Sequence, residues 1–257
     1  MAADETACTV DVAGEENFHS SEQRGPKAIS EACDLPGMSK HAHPIFARLY
    51  DPIMAGAERT VLVEHREYLA EGLDGRVLDV GAGTGAMFPY FEDSSVELHA
   101  IEPDPHMRAQ ARERAADLDI DLTLVDGEAE SLPFEDGSFD AVISALVFCT
   151  VPDPEAGAAE IARVLEPTGE FRFLEHVRAA GPLGRVHDAA TPVWETVAGG
   201  CQLNRETGEH FLSMNEFTVT DFERFEGAVG LAPMVRGRLV RRPERPGALD
   251  RLFDLVG

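Results

Sequence analysis

Apolar residues recur in two alternating arrangements through the middle of the chain. Short apolar runs bounded by polar or glycine-containing segments predict strands at 77–80, 97–101, 122–125, 139–144 and 170–174. Between them, apolar residues at helical spacing predict helices at 105–118 and 154–165. Strands that alternate with helices are typical of a doubly wound parallel sheet, whose buried strands are apolar on both faces.

The segment before the first strand has a helical pattern. Two helices are predicted, one from Pro44 that ends near 51–52 and a second at 60–70. Phe46 and Tyr50 lie on one face of the first helix. Those two rings either cover a ligand site as a lid or pack on the sheet, and the pattern supports both alternatives.

After residue 176 the alternation lapses. Two further strands are predicted at 219–225 and 235–240, as a hairpin with one antiparallel member. We therefore expect an α/β fold with a doubly wound, mostly parallel seven-stranded sheet and helices on both faces. The folded domain is expected at 41–245, after a disordered acidic tail at 1–40 and before a C-terminal tail at 246–257.

The first predicted strand leads into a loop with glycines at alternate positions, Gly81, Gly83 and Gly85, and a helix is expected to begin at 86–88. Glycines let a ligand approach the backbone, and a helix N-terminus favours negative charge. The spacing also fits a dinucleotide-binding pattern. However, Asp79 just before the loop would repel a pyrophosphate, whereas it would attract a zwitterionic amino acid that carries a sulfonium.

The stretch 76–86 (RVLDVGAGTGA) resembles motif I of the class I S-adenosylmethionine-dependent methyltransferases. The resemblance extends over about 45–240 and implies a Rossmann-like fold and S-adenosylmethionine as the cofactor. It also implies a set of cofactor-binding residues in and after the motif, namely Asp79, Gly81, Ala82, Gly83, Gly85 and Ser144. A binding protein without turnover remains an alternative, and a nicotinamide-dependent oxidoreductase is disfavoured by Asp79.

Acidic residues follow the second and third predicted strands. Glu102 lies about 20 residues after the glycines, where a carboxylate can accept hydrogen bonds from both ribose hydroxyls. The segment 127–134 (GEAESLPF) resembles the adenine-binding segment of the same family. That resemblance implies that Glu128 or Asp126 accepts from the adenine amine and that the backbone of Ala129 faces the ring edge.

Three further stretches resemble the thiol S-methyltransferases within this family: 144–151 (SALVFCTV), 173–177 (FLEHV) and 200–207 (GCQLNRET). Menaquinone C-methyltransferases and phospholipid N-methyltransferases are their neighbours. The expected partner is a small, fairly apolar acceptor, with a thiol preferred. A thiol needs little help to ionise, whereas a carbon or oxygen nucleophile needs a base. His176 and His187, the latter beside Asp188, are the candidate bases, although a packed structural role is the alternative for each.

The charge composition bears on the environment of the protein and on its possible binding partners. The formal net charge is −25, with 47 acidic against 22 basic residues, and both lysines, Lys27 and Lys40, precede the expected domain. This balance predicts adaptation to high salt, where charge repulsion is screened. It also opposes nucleic-acid binding, which needs clustered cations. The arginines at 236–245 are interpreted as a solvated strand edge.

The cysteines Cys8, Cys33, Cys149 and Cys201 have no C-x-x-C spacing, so we expect neither a zinc site nor a disulfide framework. Cys149 and Cys201 are interpreted as buried residues. No apolar run approaches the ~20 residues of a membrane span. The chain also begins without a signal-peptide pattern. The protein is therefore expected to be cytoplasmic, without an integral membrane segment.

Overall fold

The computed structural model describes residues 30–31, 41–92, 94–118, 120–227 and 233–243. Within these ranges one sheet holds the strands β1 (Ser30–Glu31), β2 (Arg76–Val80), β3 (Glu97–Ile101), β4 (Asp121–Val125), β5 (Phe139–Ala145), β6 (Leu165–His176), β7 (Phe217–Glu226) and β8 (Pro233–Arg241). The α-helices are α1 (Pro44–Thr60), α2 (Leu62–Ala70), α3 (Pro105–Ala116), α4 (Pro154–Val164), α5 (Gly181–Val197) and α6 (Thr207–Ser213).

The strand order β1-β4-β3-β2-β5-β6-β8-β7 is that of a doubly wound sheet. Strands β1 to β6 run parallel to their neighbours, whereas β8 is antiparallel to both β6 and β7. The chain moves outward from β2 on one side and from β5 on the other. Ligands bind beyond the carboxyl ends of the strands at such a reversal, so the order places the site at the ends of β2 and β5.

Two apolar cores cover the two faces of the sheet. One contains Ile161 of α4 and Phe211 of α6, and the other contains Leu69 of α2 and Ala111 of α3. Helices on both faces and the seven predicted strands, including the closing hairpin, confirm the expected Rossmann-like fold class. The described residues add an eighth, two-residue strand, β1, which pairs with Thr123 and Leu124 of β4 at one edge.

The expected boundaries of the domain stay predictions. Apart from β1, the predicted tail at 1–40 lies outside the described residues, and so does the predicted C-terminal tail at 246–257. None of the described helices combines the length and the apolar character needed to span a bilayer.

Helix α1 is longer than expected, because it continues through Pro52 to Thr60. A proline inside a helix removes one backbone hydrogen bond, which is why the sequence favoured a stop there. Hydrogen bonds from residues outside α1 stabilise the helical turn around Pro52. Asp51 accepts hydrogen bonds from the hydroxyl of Thr84 at 2.6 Å and from the guanidinium of Arg114 at 2.5 Å.

The alternation of strands and helices does lapse after residue 176, but the chain forms two successive helices there, α5 and α6, which were not predicted from the sequence. Helix α5 contains Pro192 and two glycines, all poor helix formers, and this composition concealed it. One of those glycines has a packing reason. A Cβ at Gly184 would lie 2.2 Å from the carbonyl oxygen of Ala179, so no larger side chain fits.

The basic residues near the C-terminus are held in pairs rather than presented as an open stripe. Arg236 forms an ion pair with Glu223 at 2.6 Å and stacks 4.5 Å over the ring of Tyr68. Arg238 pairs with Glu170. Strand β8, which carries both arginines, pairs with β6 on one side and with β7 on the other, so the expected strand edge was wrong.

Candidate active site

The glycine loop lies at the carboxyl end of β2, with positive φ at Gly81 (69°), Gly83 (58°) and Gly85 (80°). A Cβ at Gly81 would lie 2.5 Å from a methyl carbon of Val147, so that glycine allows a close side-chain contact. At Gly83 the nearest such atom is the sulfur of Met107, at 3.9 Å. Space is therefore open in front of Gly83, where a ligand can approach the backbone.

The helix expected after this loop is absent. The chain forms turns and then one 3₁₀ segment, Phe88–Phe91, in place of an α-helix. Gly85 contributes to this conformation, because a Cβ there would lie 2.6 Å from the ring of Phe88. The prediction that a helix N-terminus supplies positive potential here was wrong, and the loop offers backbone and open space instead.

Glu102, at the end of β3, is bonded to the glycine loop. Its Oε2 accepts a hydrogen bond from the amide of Gly83 and its Oε1 accepts one from the amide of Asp104, both at 2.8 Å. The side chain is buried, and burial raises its pKa to about 7 against the opposing effect of the two amides. A carboxylate has about four acceptor sites, so two remain for a ligand's hydroxyls.

Asp79 is the second-last residue of β2. Its side chain is buried, and one of its carboxylate oxygens is unsatisfied. Its Oδ2 has no hydrogen-bond partner among the described residues. Burial raises the pKa of Asp79 to about 7, while the nearby charge of Arg66 lowers it and that of Glu102 raises it. A buried carboxylate oxygen without a donor is costly, so a cationic ligand group at this position would satisfy it.

Helix α1 lies over the glycine loop and reaches the segment after α5. Asp51 binds Thr84 in the loop, and the amide of Gln110 on α3 donates to the carbonyl of Ala47 at 3.0 Å. At the other end, the ring of Phe46 contacts Gly199, where a Cβ would lie 2.8 Å from a ring carbon. These contacts favour the lid alternative for α1, with Phe46 over the site rather than on the sheet.

Tyr50 lies behind Phe46 on the same helix, with ring centroids 5.6 Å apart. Burial raises the pKa of its hydroxyl, and the charges of Arg66, Glu58 and Cys149 also act on it. Arg66 is itself buried and forms two hydrogen bonds to Glu58, at 2.8 and 2.7 Å. Tyr50 therefore lies close to Arg66 on α2 and to Cys149 after β5.

The acidic segment after β4 lies beside the end of β3, as predicted. The amide of Glu102 donates to the carbonyl of Val125 at 3.2 Å. Asp126 forms an ion pair with Arg108 at 3.3 Å, and Ala129 is buried. Glu128 lies 3.0 Å from Nε2 of His41, in the residues just before α1.

Ser144 has a different position from the other predicted cofactor-binding residues. It is fully buried near the end of β5, and its hydroxyl lies 3.1 Å from Oε1 of Glu175 on β6. The same oxygen accepts hydrogen bonds from the amides of Val147 and Phe148, at 3.0 and 3.1 Å. Glu175, which sequence reasoning did not select, therefore orders the loop that carries Val147 onto Gly81.

His176 ends β6 and contacts a cysteine from a distant segment. Its Nε2 lies 3.1 Å from Sγ of Cys201, and the ligand atoms of Cys149, His176 and Cys201 all lie within 4.8 Å of one another. A hydrogen bond from Cys149 lowers the pKa of Cys201, as do the hydrogen bonds from His176 and Trp194. Burial lowers the pKa of His176, but the hydrogen bond and charge of Cys201 together with the charge of Glu175 raise this pKa above its ordinary value overall.

Sequence reasoning missed this cluster. Cys149 is buried as predicted and Cys201 is partly buried, but the two sulfurs lie together beside an imidazole. No short spacing motif could reveal the arrangement, because its members follow β5, end β6 and follow α5.

The second candidate base lies elsewhere. His187 is buried on α5, where its Nδ1 accepts a hydrogen bond from the amide of Ala179 at 3.2 Å. Asp188 forms two hydrogen bonds with Arg178, at 2.9 and 2.7 Å. The carboxylate of Asp188 is thus engaged by an arginine, and the geometry gives His187 a packing position on α5.

Parts of the chain match known proteins. The methyltransferase domain family matches residues 78–173, from β2 into β6, a stretch that contains the glycine loop and Glu102. Thiol S-methyltransferase TMT1A of Homo sapiens is 29% identical over 167 residues, covering 63% of this chain and 68% of the human protein. Residues 78–173 thus carry a methyltransferase domain, and together with these relatives they identify the chain as an S-adenosylmethionine-dependent methyltransferase.

Other relatives of this methyltransferase differ in the acceptor that their names state. The ubiquinone/menaquinone biosynthesis C-methyltransferase UbiE of Methylobacterium nodulans is 42% identical over 120 residues, covering 44% of this chain and 47% of that protein. The matches therefore cover between 47% and 68% of these relatives' own lengths. A methyltransferase solved with the Haloferax volcanii Trm112 methyltransferase activator has a TM-score of 0.61 at 19% identity, covering 78% of this chain and 99% of its own. That likeness shows the shared fold.

S-adenosylmethionine is the cofactor of this methyltransferase, and the residues present fit it. The unsatisfied Oδ2 of Asp79 matches a cationic ammonium group, and the open space at Gly83 admits a ligand against the backbone. The remaining acceptor sites of Glu102 match the two ribose hydroxyls. The site is thus built at the strand ends where the sheet reverses.

Proposed function

We propose that this methyltransferase transfers the methyl group of S-adenosylmethionine to the sulfur of a small, fairly apolar thiol. The observation that carries the proposal is the contact between Cys201 and His176, which ends β6. This contact lies beside the loop after β5, whose Val147 contacts Gly81. Similarity to the human thiol S-methyltransferase supports a thiol acceptor.

Bound S-adenosylmethionine supplies an activated methyl group on a sulfonium, so the chain's own residues mainly bind and orient. Asp79 holds the ammonium group and Glu102 holds the ribose. Gly83 lets the cofactor lie against the backbone. Together these three residues would hold the cofactor beside the acceptor side of the site.

The acceptor side combines aromatic groups with positive charge. Phe46 and Tyr50 of α1 cover it and exclude water, which protects a desolvated nucleophile. Arg205 donates to the carbonyl of Phe148 at 2.6 Å and brings a guanidinium beside His176, whose pKa it influences. A thiol with a pKa near ~8.5 ionises readily in such a field.

The experiment is transfer of a labelled methyl group from S-adenosylmethionine to a panel of acceptors: an alkyl thiol, demethylmenaquinone and phosphatidylethanolamine. Label in a thioether, identified by mass spectrometry, is the expected result. The Gly83→Val variant, which should not bind cofactor, is the matched negative control.

A second candidate function is methylation of a quinone-type ring carbon, and the identity with UbiE favours it. In that case His176 would have to remove a proton from the ring carbon. Label found only in methylated quinone would replace the thiol proposal with this one. Cofactor binding without label in any acceptor would favour a binding protein without turnover.

A further inference from the structure

The cluster of Cys149, His176 and Cys201 is assembled by three separate segments that the fold holds together. The amide of Gln202 donates to the carbonyl of Cys149 at 2.9 Å, which ties the two cysteine segments side by side. The amide of Cys201 donates to the carbonyl of Ala198 at 3.1 Å. Two sulfurs and one imidazole nitrogen therefore converge on a fixed backbone framework rather than on mobile surface side chains.

A buried carboxyl group with one unsatisfied oxygen lies beside the cluster. Oε2 of Glu175 is buried and has no hydrogen-bond partner among the described residues. The charge of Glu175 acts on both His176 and Cys149, and Arg205 is the cation that also acts on them. A buried carboxyl oxygen beside two sulfurs favours a bound cation.

The type and number of the donor atoms favour zinc as the cation. Sulfur and imidazole ligands are those that zinc prefers, and they exclude magnesium and calcium, which bind oxygen. With Zn–S near ~2.3 Å and Zn–N near ~2.0–2.1 Å, tetrahedral ligand atoms lie about 3.5 Å apart. Atoms within 4.8 Å of one another, with one N···S distance of 3.1 Å, need only small side-chain rotations to reach that geometry. Three protein ligands leave one coordination position open, as in catalytic zinc sites.

We propose that Cys149, His176 and Cys201 bind one zinc ion, and that its open position takes the acceptor thiol. This inference rests on the proposed thiol acceptor. Zinc deprotonates a coordinating thiol, so the acceptor loses its proton to solvent on binding. The acceptor sulfur then forms the new bond to the methyl carbon as the carbon–sulfonium bond breaks. The electron pair of that bond stays on the departing sulfur, and the products are a thioether and S-adenosylhomocysteine.

The position of the proposed zinc site agrees with a role in binding the acceptor thiol. Val147, which contacts Gly81 in the cofactor loop, precedes Cys149 by two residues. The indole of Trp194 is 44% exposed and hydrogen-bonds to the sulfur of Cys201, while Tyr50 lies near Cys149. The cluster thus lies between the cofactor loop and the aromatic side chains that would receive an apolar thiol.

The first test measures zinc alone. Protein purified without chelator is analysed for metal content, and its zinc affinity is measured by competition with a chromophoric chelator. The expected result is one zinc ion per chain. Cys201→Ser and Cys149→Ser should each weaken zinc binding by more than the ~10–100-fold that loss of a ligand-orienting group costs. The Cys8→Ser/Cys33→Ser double variant is the matched control and should retain the zinc.

Calorimetry with S-adenosylhomocysteine on each variant separates loss of the site from loss of the fold, since a folded variant keeps that affinity. A wild-type protein without zinc, or full zinc affinity in folded Cys201→Ser, would overturn the proposal. So would a Cys149–Cys201 disulfide, seen as a mass two hydrogens lower, in protein purified under reducing conditions.

The second test examines the open position with Co²⁺ in place of zinc. Addition of an alkyl thiol should increase the sulfur-to-cobalt charge-transfer absorption, and Cys201→Ser should lose the spectrum. An unchanged spectrum would overturn the open-position part of the inference. A cobalt spectrum that responds to thiol, together with no methylated thiol in the acceptor panel, would refute the thiol acceptor while leaving the metal site standing.

Discussion

The hydroxyl of Thr84, in the glycine loop, donates a hydrogen bond to Oδ1 of Asp51, on α1, at 2.6 Å. This bond links the loop that holds the cofactor to the helix that covers the acceptor side. Because Asp51 also binds Arg114, the hydroxyl meets a carboxylate that is already fixed in place. The position of α1 is therefore coupled to the conformation of the cofactor loop.

Thr84→Val should lower turnover more than cofactor affinity. The change keeps the shape of the side chain but removes the donor, so α1 loses its tie to the loop, at a cost of ~1–3 kcal/mol for a bond to a charged group. Methyl transfer and calorimetry with S-adenosylhomocysteine provide the two measurements. Thr84→Ser, which keeps the hydroxyl, is the control, and equal turnover in the Val and Ser variants would contradict the coupling.

Glu102→Ala should weaken binding of S-adenosylmethionine and S-adenosylhomocysteine by ~1–3 kcal/mol each. The variant loses the acceptors for the ribose hydroxyls and also frees the amide of Gly83. Calorimetry checks both ligands. Glu97→Ala, an exposed acid at the other end of the same strand, should bind normally, and unchanged affinity in Glu102→Ala would remove that residue from the site.

Gly83→Val should abolish cofactor binding in a folded protein. An added side chain meets little protein there, but it would fill the ligand's space and strain a residue at φ 58°, at about 1–2 kcal/mol. Gly72→Val is a close control, because Gly72 has φ 66° and no atoms within 4 Å of an added Cβ but lies outside the site. Full cofactor affinity in folded Gly83→Val would remove the loop from the binding site.

Asp79 and Glu102 make the stability of the cofactor-free protein pH-dependent. Each has a folded pKa of about 7, above its ordinary value of 3.8 or 4.5, so the folded state binds more protons between those limits. The free energy of unfolding should therefore fall as the pH rises from about 4 to about 7. For Asp79 alone the change is on the order of 4 kcal/mol, at about 1.4 kcal/mol per pKa unit.

Urea unfolding at fixed salt between pH 4 and 8 measures this dependence. Asp79→Asn, which cannot titrate, should show a shallower decline than the wild type across the same window. If the free energy of unfolding of the wild type instead rises with pH relative to that of Asp79→Asn, Asp79 is already ionised at low pH in the folded protein, and the prediction fails.

The melting temperature should rise with KCl up to molar concentrations. A net charge of −25 repels itself until the salt screens it. Thermal unfolding at low and high KCl is the measurement, with potassium glutamate as a second salt to separate screening from chloride binding. A melting temperature that stays flat or falls would argue against adaptation to salt.

The parallel strands were the most predictable part of the fold. The predicted range 97–101 coincides with β3, because a strand buried on both faces is a short apolar run with clear polar ends. Helix α5 could not be found in this way. Its exposed Val186, Val193 and Val197 blur the amphipathic pattern, and Pro192 suggests a break.

The places of the cofactor-binding candidates were predictable for a similar reason. Asp79, Gly83 and Glu102 lie at the ends of neighbouring strands, so their positions follow from the strand pattern, whereas their cofactor roles come from the family resemblance and stay predictions. The contacts of Cys201 with His176 and of Phe46 with Gly199 join residues distant in sequence. Such contacts depend on how α1 and α5 pack, and no local pattern encodes that packing.

The place of β8 between β6 and β7 has a consequence for synthesis on the ribosome. Among the described residues β7 pairs with β8 alone, yet β7 leaves the ribosome first. At ~5–20 residues per second, β7 waits on the order of a second for its partner. The edge of β6 that β8 occupies stays open for longer still, because β6 is complete at His176, well before β7 begins. A nascent chain released before β8 would carry an unpaired sheet edge, so premature termination in this last stretch should yield aggregating fragments rather than a weakened enzyme.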